Sequence, residues 1–407
     1  MRDNRLAAAL LKQGRNVVAI PLYTPIRTDE FDVSRPTIYY GGLNVYLQHK
    51  LPLFRHAPQF LNRWLDRPGL LRAIGRVAQT RPQTLGPLTV SVLQGADGAQ
   101  RRELDRLIDG LRPFSPTILH LPNLMFVGIA KALKAALNPS IFCSLAGEDI
   151  FLDALPDPHR RDAFDLVRAG AADVDAFVAP TRYYAAYAAK HFHLSPQRVH
   201  YVPLGVNADE FKAEPPSPHG PFIIGYLARV CSEKGLEVLC GALRTLRRAG
   251  RNCRLRAAGY LGPADRPYLA AIRKGLVRDG LGDAFEYVGT VSRAEKLAFL
   301  NSLHALSVPT IYPETKGLYV LEALASGVPV VQPRHGSFTE IIDATGGGLL
   351  YDPKDGTALT AALAQLMDDP RLRDRLAVAG PPGVRQNYTE SIMAERTWSL
   401  YRNHAAR

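Results

Sequence analysis

Cysteine is scarce in this chain. The four residues, Cys143, Cys231, Cys240 and Cys253, form no CxxC pair, and so low a density excludes a disulfide-built scaffold. A reducing, cytoplasmic setting is expected. Long apolar runs are missing as well. None approaches the ~20 residues that a membrane-spanning helix needs, and the opening MRDNRLAAALLKQG is too short in apolar residues for a signal peptide. Internal repeats and low-complexity tracts are absent too. Acidic residues are outnumbered, 38 against 50 Lys and Arg, for a formal net charge of +12. That balance favours anionic partners: phosphorylated ligands, acidic lipid head groups or nucleic acid. The arginines, Arg72, Arg101, Arg102, Arg160 and Arg161 among them, are scattered along the chain and gather into no basic arm. Nucleic acid is therefore not expected as a partner, while a peripheral contact with the anionic inner face of a membrane stays open.

What is present is a globular composition, 46% hydrophobic and 22% charged. With 407 residues, two domains of about 200 residues are expected. Short apolar runs alternate with helical stretches: NVVAIPLY (16–23), TILHL (117–121), SIFCSLA (140–146), AFVAP (176–180), PFIIGYLA (221–228), RLRAAG (254–259), FEYVG (285–289), HALSVPT (304–310) and VPVVQP (328–333). The alternation predicts α/β architecture with parallel sheets built from βαβ units. The stretch KAEPPSPHGPF (212–222) can hold neither a helix nor a central strand and marks a boundary. We expect a domain over 1–213, a second over 214–383, and a C-terminal helix over 384–407 that packs back on the first. Both domains are expected to be Rossmann-like and doubly wound, facing each other across a cleft, with ligands at the C-terminal edges of their strands.

Two segments carry candidate chemistry. In GYLARVCSEKGLEVL, Arg229 and Lys234 occupy the loop after a strand, and a helix starts near Gly235. Two cations beside a helix start suit an anion, although a solvated basic loop would read the same way. In PETKGLYVLEALASGVPVV (313–331), a helix starts near Lys316 and Gly317. The amides of Lys316, Gly317 and Leu318 are expected to be open donors there. Leu318, Leu321, Glu322 and Ala325 share one helical face, which puts Glu322 in or beside the buried stripe. A buried carboxylate needs a partner. A ribose diol would serve, and so would an internal salt bridge. Glu314 precedes the helix, either aimed at a ligand or capping the helix. Together, cations, amides and two carboxylates describe a site for a nucleotide-diphosphate sugar.

The same segments carry a family resemblance. GYLARVCSEKGLEVL, YVGTVSRAEKLAFLNSLHALSVPTIYPETKGLYVLEALASGVPVVQPRHGSFTEII and GGGLLYDPKD resemble the donor half of glycosyltransferase family 4, retaining enzymes of the GT-B fold. The likeness is close over 173–380 and looser before it. Leu204–Gly205–Val206–Asn207 stands where the family has an Asn-Gly-Val-Asp turn. The resemblance implies that Arg229 and Lys234 hold the donor diphosphate and that Glu314 contacts the transferred sugar. It implies that Lys316, Gly317 and Leu318 bind the distal phosphate or the sugar, and that Glu322 holds the ribose. Gly289, Thr290 and Val291 would meet the base, with Gly225 in the same donor-binding set. It further implies a retaining hexosyltransferase with no cofactor and no metal. The donor would be a UDP- or ADP-sugar and the acceptor a saccharide or a lipid-linked group. The alternating histidines of HFH (191–193) have no carboxylate or cysteine cluster in sequence beside them that would argue for a metal.

The first half departs from the family. RDNRLAAALLKQGRN resembles the family's first helix already under way, so its opening strand and Gly-rich loop are expected to be missing, through truncation or a misassigned start. A non-catalytic nucleotide-sugar binder that lacks the loop is the alternative reading. Ala146–Gly147 stands where the family has His-Gly. Glu148 could take part of the lost role or simply cap a helix. His120, at a strand end, could face the cleft or be a satisfied core histidine. Gly41 and Gly42, in TIYYGGLNVYLQHK, lie in an aromatic insertion similar to a segment of glycogen and starch synthases, and complete the acceptor-side candidates.

Overall fold

The computed structural model describes residues 2–23, 28, 30–39, 82–213 and 220–405. The chain divides into two compact units, residues 1–203 with 393–407, and residues 204–392.

The first unit opens with α1 (Arg2–Lys12). Its sheet contains β1 (Ile118–Leu121), β2 (Ser140–Ser144), β3 (Ala176–Ala179) and β4 (Val199–Tyr201), all parallel, in the order β1-β2-β3-β4. Burial of β2 and β3 is nearly complete, which is why their sequences are apolar without alternation. The run 16–23 does not form the expected strand. Among the described residues it makes only isolated parallel bridges, Ala19 with Ser34 and Leu22 with Tyr39. Conversely, β4 was not evident in the sequence, being three half-buried residues with little apolar signal.

The second unit has six parallel strands: β5 (Phe222–Leu227), β6 (Cys253–Ala258), β7 (Phe285–Gly289), β8 (Ala305–Leu306), β9 (Val330–Pro333) and β10 (Gly348–Tyr351). Their order is β10-β9-β8-β5-β6-β7. The chain starts in the middle at β5, runs outward through β6 and β7, returns to β8 on the other side of β5, and runs outward again. The reversal makes a topological switch point between β5 and β8, the place where such sheets bind ligands. Helices of this unit include α2 (Leu236–Arg248), α3 (Arg293–Asn301), α4 (Leu318–Ala325) and α5 (Ser337–Thr345). Residues 204–211 belong with this unit, because Leu204, Val206, Ala208 and Phe211 enter its core and Val206 bridges Thr389.

The last helix, α6 (Glu390–Ala405), buries Met393, Ala394, Leu400 and Tyr401 against Leu6, Leu10, Phe142 and Val178 of the first unit. The apolar spacing of α1, with Leu6, Ala9 and Leu10 on one face, supplies the other side of that cluster. Among the described residues no helix is long and apolar enough to cross a membrane.

Candidate active site

The two loops that flank the switch point touch. The loop after β5 ends at Gly235, whose backbone is left-handed (φ 71°) and lies against the Pro309 carbonyl; a Cβ there would come within 1.9 Å of that oxygen. Only glycine permits this approach. The Ile311 amide donates to the Glu233 carbonyl at 3.1 Å and fixes the two loops in register. This close approach brings together side chains eighty residues apart.

Lys234 Nζ donates to Glu314 Oε2 at 2.5 Å. The Tyr319 hydroxyl donates to the same oxygen at 2.8 Å. The rings of Tyr312 and Tyr319 lie 5.1 and 5.5 Å from the ammonium, within cation–π reach. Glu314 is 5% exposed. Burial alone would push its carboxyl pKa up, but the charge and hydrogen bond of Lys234 outweigh it and hold the group below its ordinary value. In the same way, burial opposes the charge on Lys234, yet Glu314 holds its pKa above the usual lysine value.

Glu314 also corrects one expectation about the helix start. The Lys316 amide is not open. With the Thr315 amide it donates to Glu314 Oε1, at 3.2 and 3.1 Å. The carboxylate folds back over its own turn and satisfies donors that the sequence left unassigned. The amides of Gly317 and Leu318 have no acceptor among the described residues. Gly317, left-handed at φ 64°, is the N-cap of α4.

Glu322 lies one helix face away and is 3% exposed. Its Oε1 accepts from Lys296 Nζ at 2.7 Å, and Arg293 Nη1 lies 3.7 Å off. The partner that a buried carboxylate demands is thus a lysine, itself buried. Lys296 and Arg293 were missed in the sequence. The signal was there: Ser292 and Glu295 form a capping box at the start of α3, so Arg293 and Lys296, three apart, share a face. Arg293 continues the network to Glu210, at 2.7 Å, and lies over the Phe211 ring.

Other predicted residues are more dispersed. Arg229 is on the same loop as Lys234 but more than half exposed, 3.8 Å from Glu233. Gly289 ends β7 with open space beside its Cα, and Thr290 and Val291 lead from it into the capping box. Gly225 is inside β5, not in the loop, and its Cα packs on the Leu303 side chain.

In the first unit, His120 is half-buried and both its ring nitrogens are satisfied. Its Nδ1 meets the Tyr401 hydroxyl at 2.5 Å and its Nε2 the Ser144 hydroxyl at 2.8 Å. Burial, reinforced by nearby Arg2, pushes its pKa below the ordinary value. Glu148 accepts from the amides of Ala146, at 2.8 and 3.0 Å, and Leu124, at 3.2 Å, which commits its carboxylate to the loop after β2. Gly41 and Gly42, with the aromatic insertion around them, lie outside the described residues. Among the described residues no three metal-ligating side chains gather.

Comparison with known proteins finds relatives for both halves of the chain. Residues 207–381 match the model of glycosyl transferases group 1, and residues 84–210 match that of glycosyltransferase family 4. The MMP alpha-(1->4)-mannosyltransferase of Mycolicibacterium hassiacum is 30% identical over 217 residues, 53% of this chain and 51% of that protein. The phosphatidyl-myo-inositol mannosyltransferase of Mycobacterium leprae is 29% identical over 204 residues, 49% of this chain and 52% of its own length. The chain spans about half the length of the curated relatives it matches. Among solved structures, the sucrose-phosphate synthase of Thermosynechococcus elongatus superposes with a TM-score of 0.72 at 18% identity, over 99% of this chain and 92% of that one. An Anabaena protein solved in complex with UDP and glucose gives 0.65 at 14% identity, over 95% and 99%. Both share the fold.

Proposed function

Taking as premise that the chain belongs to the family 4-type GT-B glycosyltransferases, we propose that it moves a hexosyl group from a nucleotide-diphosphate sugar to a saccharide or lipid-linked acceptor, with retention of configuration and without a metal. The observation that carries the reading is the buried Lys234–Glu314 pair at the switch point, beside the start of α4. In this reading Lys234, Arg229 and the open amides of Gly317 and Leu318 face the donor diphosphate. Glu322, held by Lys296, faces the ribose, and the backbone at Gly289–Val291 faces the base.

The chemistry follows from charge. As the glycosidic bond breaks, the electron pair leaves with the β-phosphate oxygen. Two cations and oriented amides stabilise that charge without having to reorganise. The leaving phosphate flanks the oxocarbenium-like sugar and takes the acceptor proton, so attack comes from the same face and no protein nucleophile is needed. A UDP- or ADP-sugar is the first choice of donor. A phosphatidyl-type acceptor on an anionic membrane face would suit the excess of positive charge.

A binding-only reading draws on the first unit, where Ala146 stands at the family's histidine position and Glu148 is committed to backbone amides. One experiment separates the two. UDP-glucose, ADP-glucose and GDP-mannose are each incubated with the protein in EDTA, with and without saccharide and lipid acceptors. Release of the nucleoside diphosphate is followed, and the anomer of the product is read by NMR. Turnover in EDTA with retention is expected. Tight donor binding with no release in any arm would leave only the binder, and an inverted product would end the retaining mechanism.

A further inference from the structure

We infer that the groove between the helices Asp149–Asp153 and Arg182–His191 of the first unit binds a neutral oligosaccharide, with hydroxyls on Asp149 and carbon faces beside Tyr183 and Tyr187. Its use as the acceptor site rests on the transferase reading above. The recognition chemistry rests on this unit alone.

One wall is acidic and the other aromatic. Asp149 and Asp153 are one turn apart on the short helix and share a face. Tyr183, Tyr187 and His191 recur every four residues on the other helix, with their rings nearly parallel. Successive centroids lie 6.0 Å apart at 15° and 5.1 Å apart at 16°. The walls meet at both ends. His191 Nε2 is 3.2 Å from Asp153 Oδ1, and the Tyr184 hydroxyl donates to Asp149 Oδ1 at 2.6 Å. Burial, then the charges of Asp149 and Asp153, push the Tyr187 hydroxyl up to about 12, as befits a ring that both acids face. The row of rings runs about 12 Å along its helix, long enough for a short oligosaccharide.

Asp149 is the acid with capacity left. It is 8% exposed. Among the described residues its carboxylate has the one hydrogen bond from Tyr184 and no ion pair. A carboxylate offers about four acceptor positions, and burying one with so few donors is costly. Glu148, next to it and equally buried, is occupied by the Ala146 and Leu124 amides. Of two adjacent acids, one serves the loop and the other keeps room for donors from outside. Tyr183 and Tyr187 beside it are half-buried, so each ring keeps surface for a ligand.

The far end of the groove decides the charge. An open cavity of about 590 Å³ adjoins Asp153 and His191 there. It sets Arg160, Arg161 and Arg168 against Asp153, Asp157 and Asp165, around the Phe164 ring. Arg160 pairs with Asp157 at 3.0 Å and Arg168 with Asp165 at 3.6 Å. Three cations and three anions give a charged ligand no net attraction. They do offer donors and acceptors to hydroxyls, next to an apolar ring. A ligand with many hydroxyls and C–H faces between them is a saccharide.

Saturation-transfer NMR tests the groove. Maltotriose, α-1,6-mannotriose and the glucosamine trimer are titrated into the parent, Asp149→Asn and Tyr187→Leu, while UDP and GDP are titrated by calorimetry. Asparagine still accepts from Tyr184, so Asp149→Asn should fold. A neutral trimer should bind the parent with little dependence on salt. Each variant should weaken it about ten-fold, the loss of roughly one charge-assisted hydrogen bond in the case of Asp149→Asn, and leave UDP and GDP affinity unchanged. Should Asp149→Asn fail to fold, Tyr187→Leu decides, because that ring is only half-buried. The inference is overturned if no neutral trimer binds the parent, or if all three proteins bind it equally. Binding of the glucosamine trimer alone, fading as salt is raised, overturns it as well and makes the groove a cation site. A parent that binds a neutral trimer but neither UDP nor GDP overturns the donor-site reading and leaves the saccharide groove standing.

Discussion

The edges of the two sheets differ in how they use charge. In the second unit the strand order reverses between β5 and β8, and the loops that leave those strands bring a lysine and a glutamate together under cover. In the first unit the described strands run in simple sequence, β1 to β4, and the polar groups at their ends are consumed by the scaffold. His120 is held between Tyr401 and Ser144, and Glu148 by Ala146 and Leu124. A reversal in strand order opens a gap between diverging loops, and side chains that meet there can serve a ligand. Without the reversal the same side-chain types stitch loops to strands. The contrast yields predictions about what each unit loses when a polar group is removed.

The largest loss should come from Lys234→Met. Glu314 would stay buried with its strongest partner gone, and breaking a buried pair by removing one member costs about 3–5 kcal/mol. The pH dependence should change sign as well. In the parent, the pKa of Glu314 is depressed in the folded state, so its contribution is present above the ordinary value of 4.5 and is lost as pH falls through the depressed one. Lys234 is raised. Its contribution is complete below 10.5 and is lost only as pH rises through the raised value. Urea midpoints for the parent should therefore be flat through neutrality and fall in acid. In Lys234→Met, burial acts on Glu314 without that opposing charge, so stability should fall as pH rises above about 4.5. A variant with the parent's acid limb would mean that the pair does not hold the fold.

An intermediate effect belongs to the first unit. His120→Phe removes a ring that bonds Tyr401 and Ser144 and leaves two hydroxyls without it, a cost of about 1–3 kcal/mol. Nucleotide affinity should be unchanged, because the ring is tied into the scaffold that joins β1, β2 and α6. Calorimetric melting and titration with the same nucleotides test both halves. A variant that melts like the parent yet loses nucleotide binding would return His120 to the ligand side and erase the contrast between the units.

How much of the molecule the sequence disclosed divides along the same line. In the second unit, apolar runs bounded by glycine and proline placed β5, β6, β7 and β9 to within two residues or so, and the helix starts at Gly235 and Gly317 were legible from the same punctuation. Two glutamates eight apart gave the carboxylates, and the need to pair a buried charge correctly demanded a partner for Glu322. The identity of that partner was not legible, because Lys296 is 26 residues away and only the return of the chain from α3 to α4 brings it near. The fold-back of Glu314 onto the Lys316 amide was hidden for the opposite reason. It is a local choice between a ligand and the residue's own turn, and residue type alone does not decide it. In the first unit the apolar run at 16–23 misled, since β-type composition does not fix the extent of pairing, and among the described residues this run pairs only at the isolated bridges Ala19–Ser34 and Leu22–Tyr39. The short, half-buried β4 lacked the apolar run that marks the others, and β10 offers only Leu349, Leu350 and Tyr351 behind a run of glycines.

The smallest effect on stability sharpens the contrast within the second unit itself. Arg229 and Lys234 are five residues apart on one loop and by residue type suit the same diphosphate, yet they are held differently. Lys234 is mostly covered and caged. Arg229 is 56% exposed, and its ion pair with Glu233, at 3.8 Å, is half in solvent. Such a pair contributes about 0–1 kcal/mol. Arg229→Ala should therefore melt within about a degree or two of the parent, while its affinity for UDP or GDP falls about ten-fold or more if the guanidinium reaches the phosphates. The loss should also shrink as salt is raised, since an exposed cation is screened more than a buried one. Titrating the parent, Arg229→Ala and Lys234→Gln across a salt series gives both numbers. A loss for Arg229→Ala independent of salt would place the arginine under cover when ligand is bound; no loss at all would leave Lys234 and the amides of α4 to hold the anion without it.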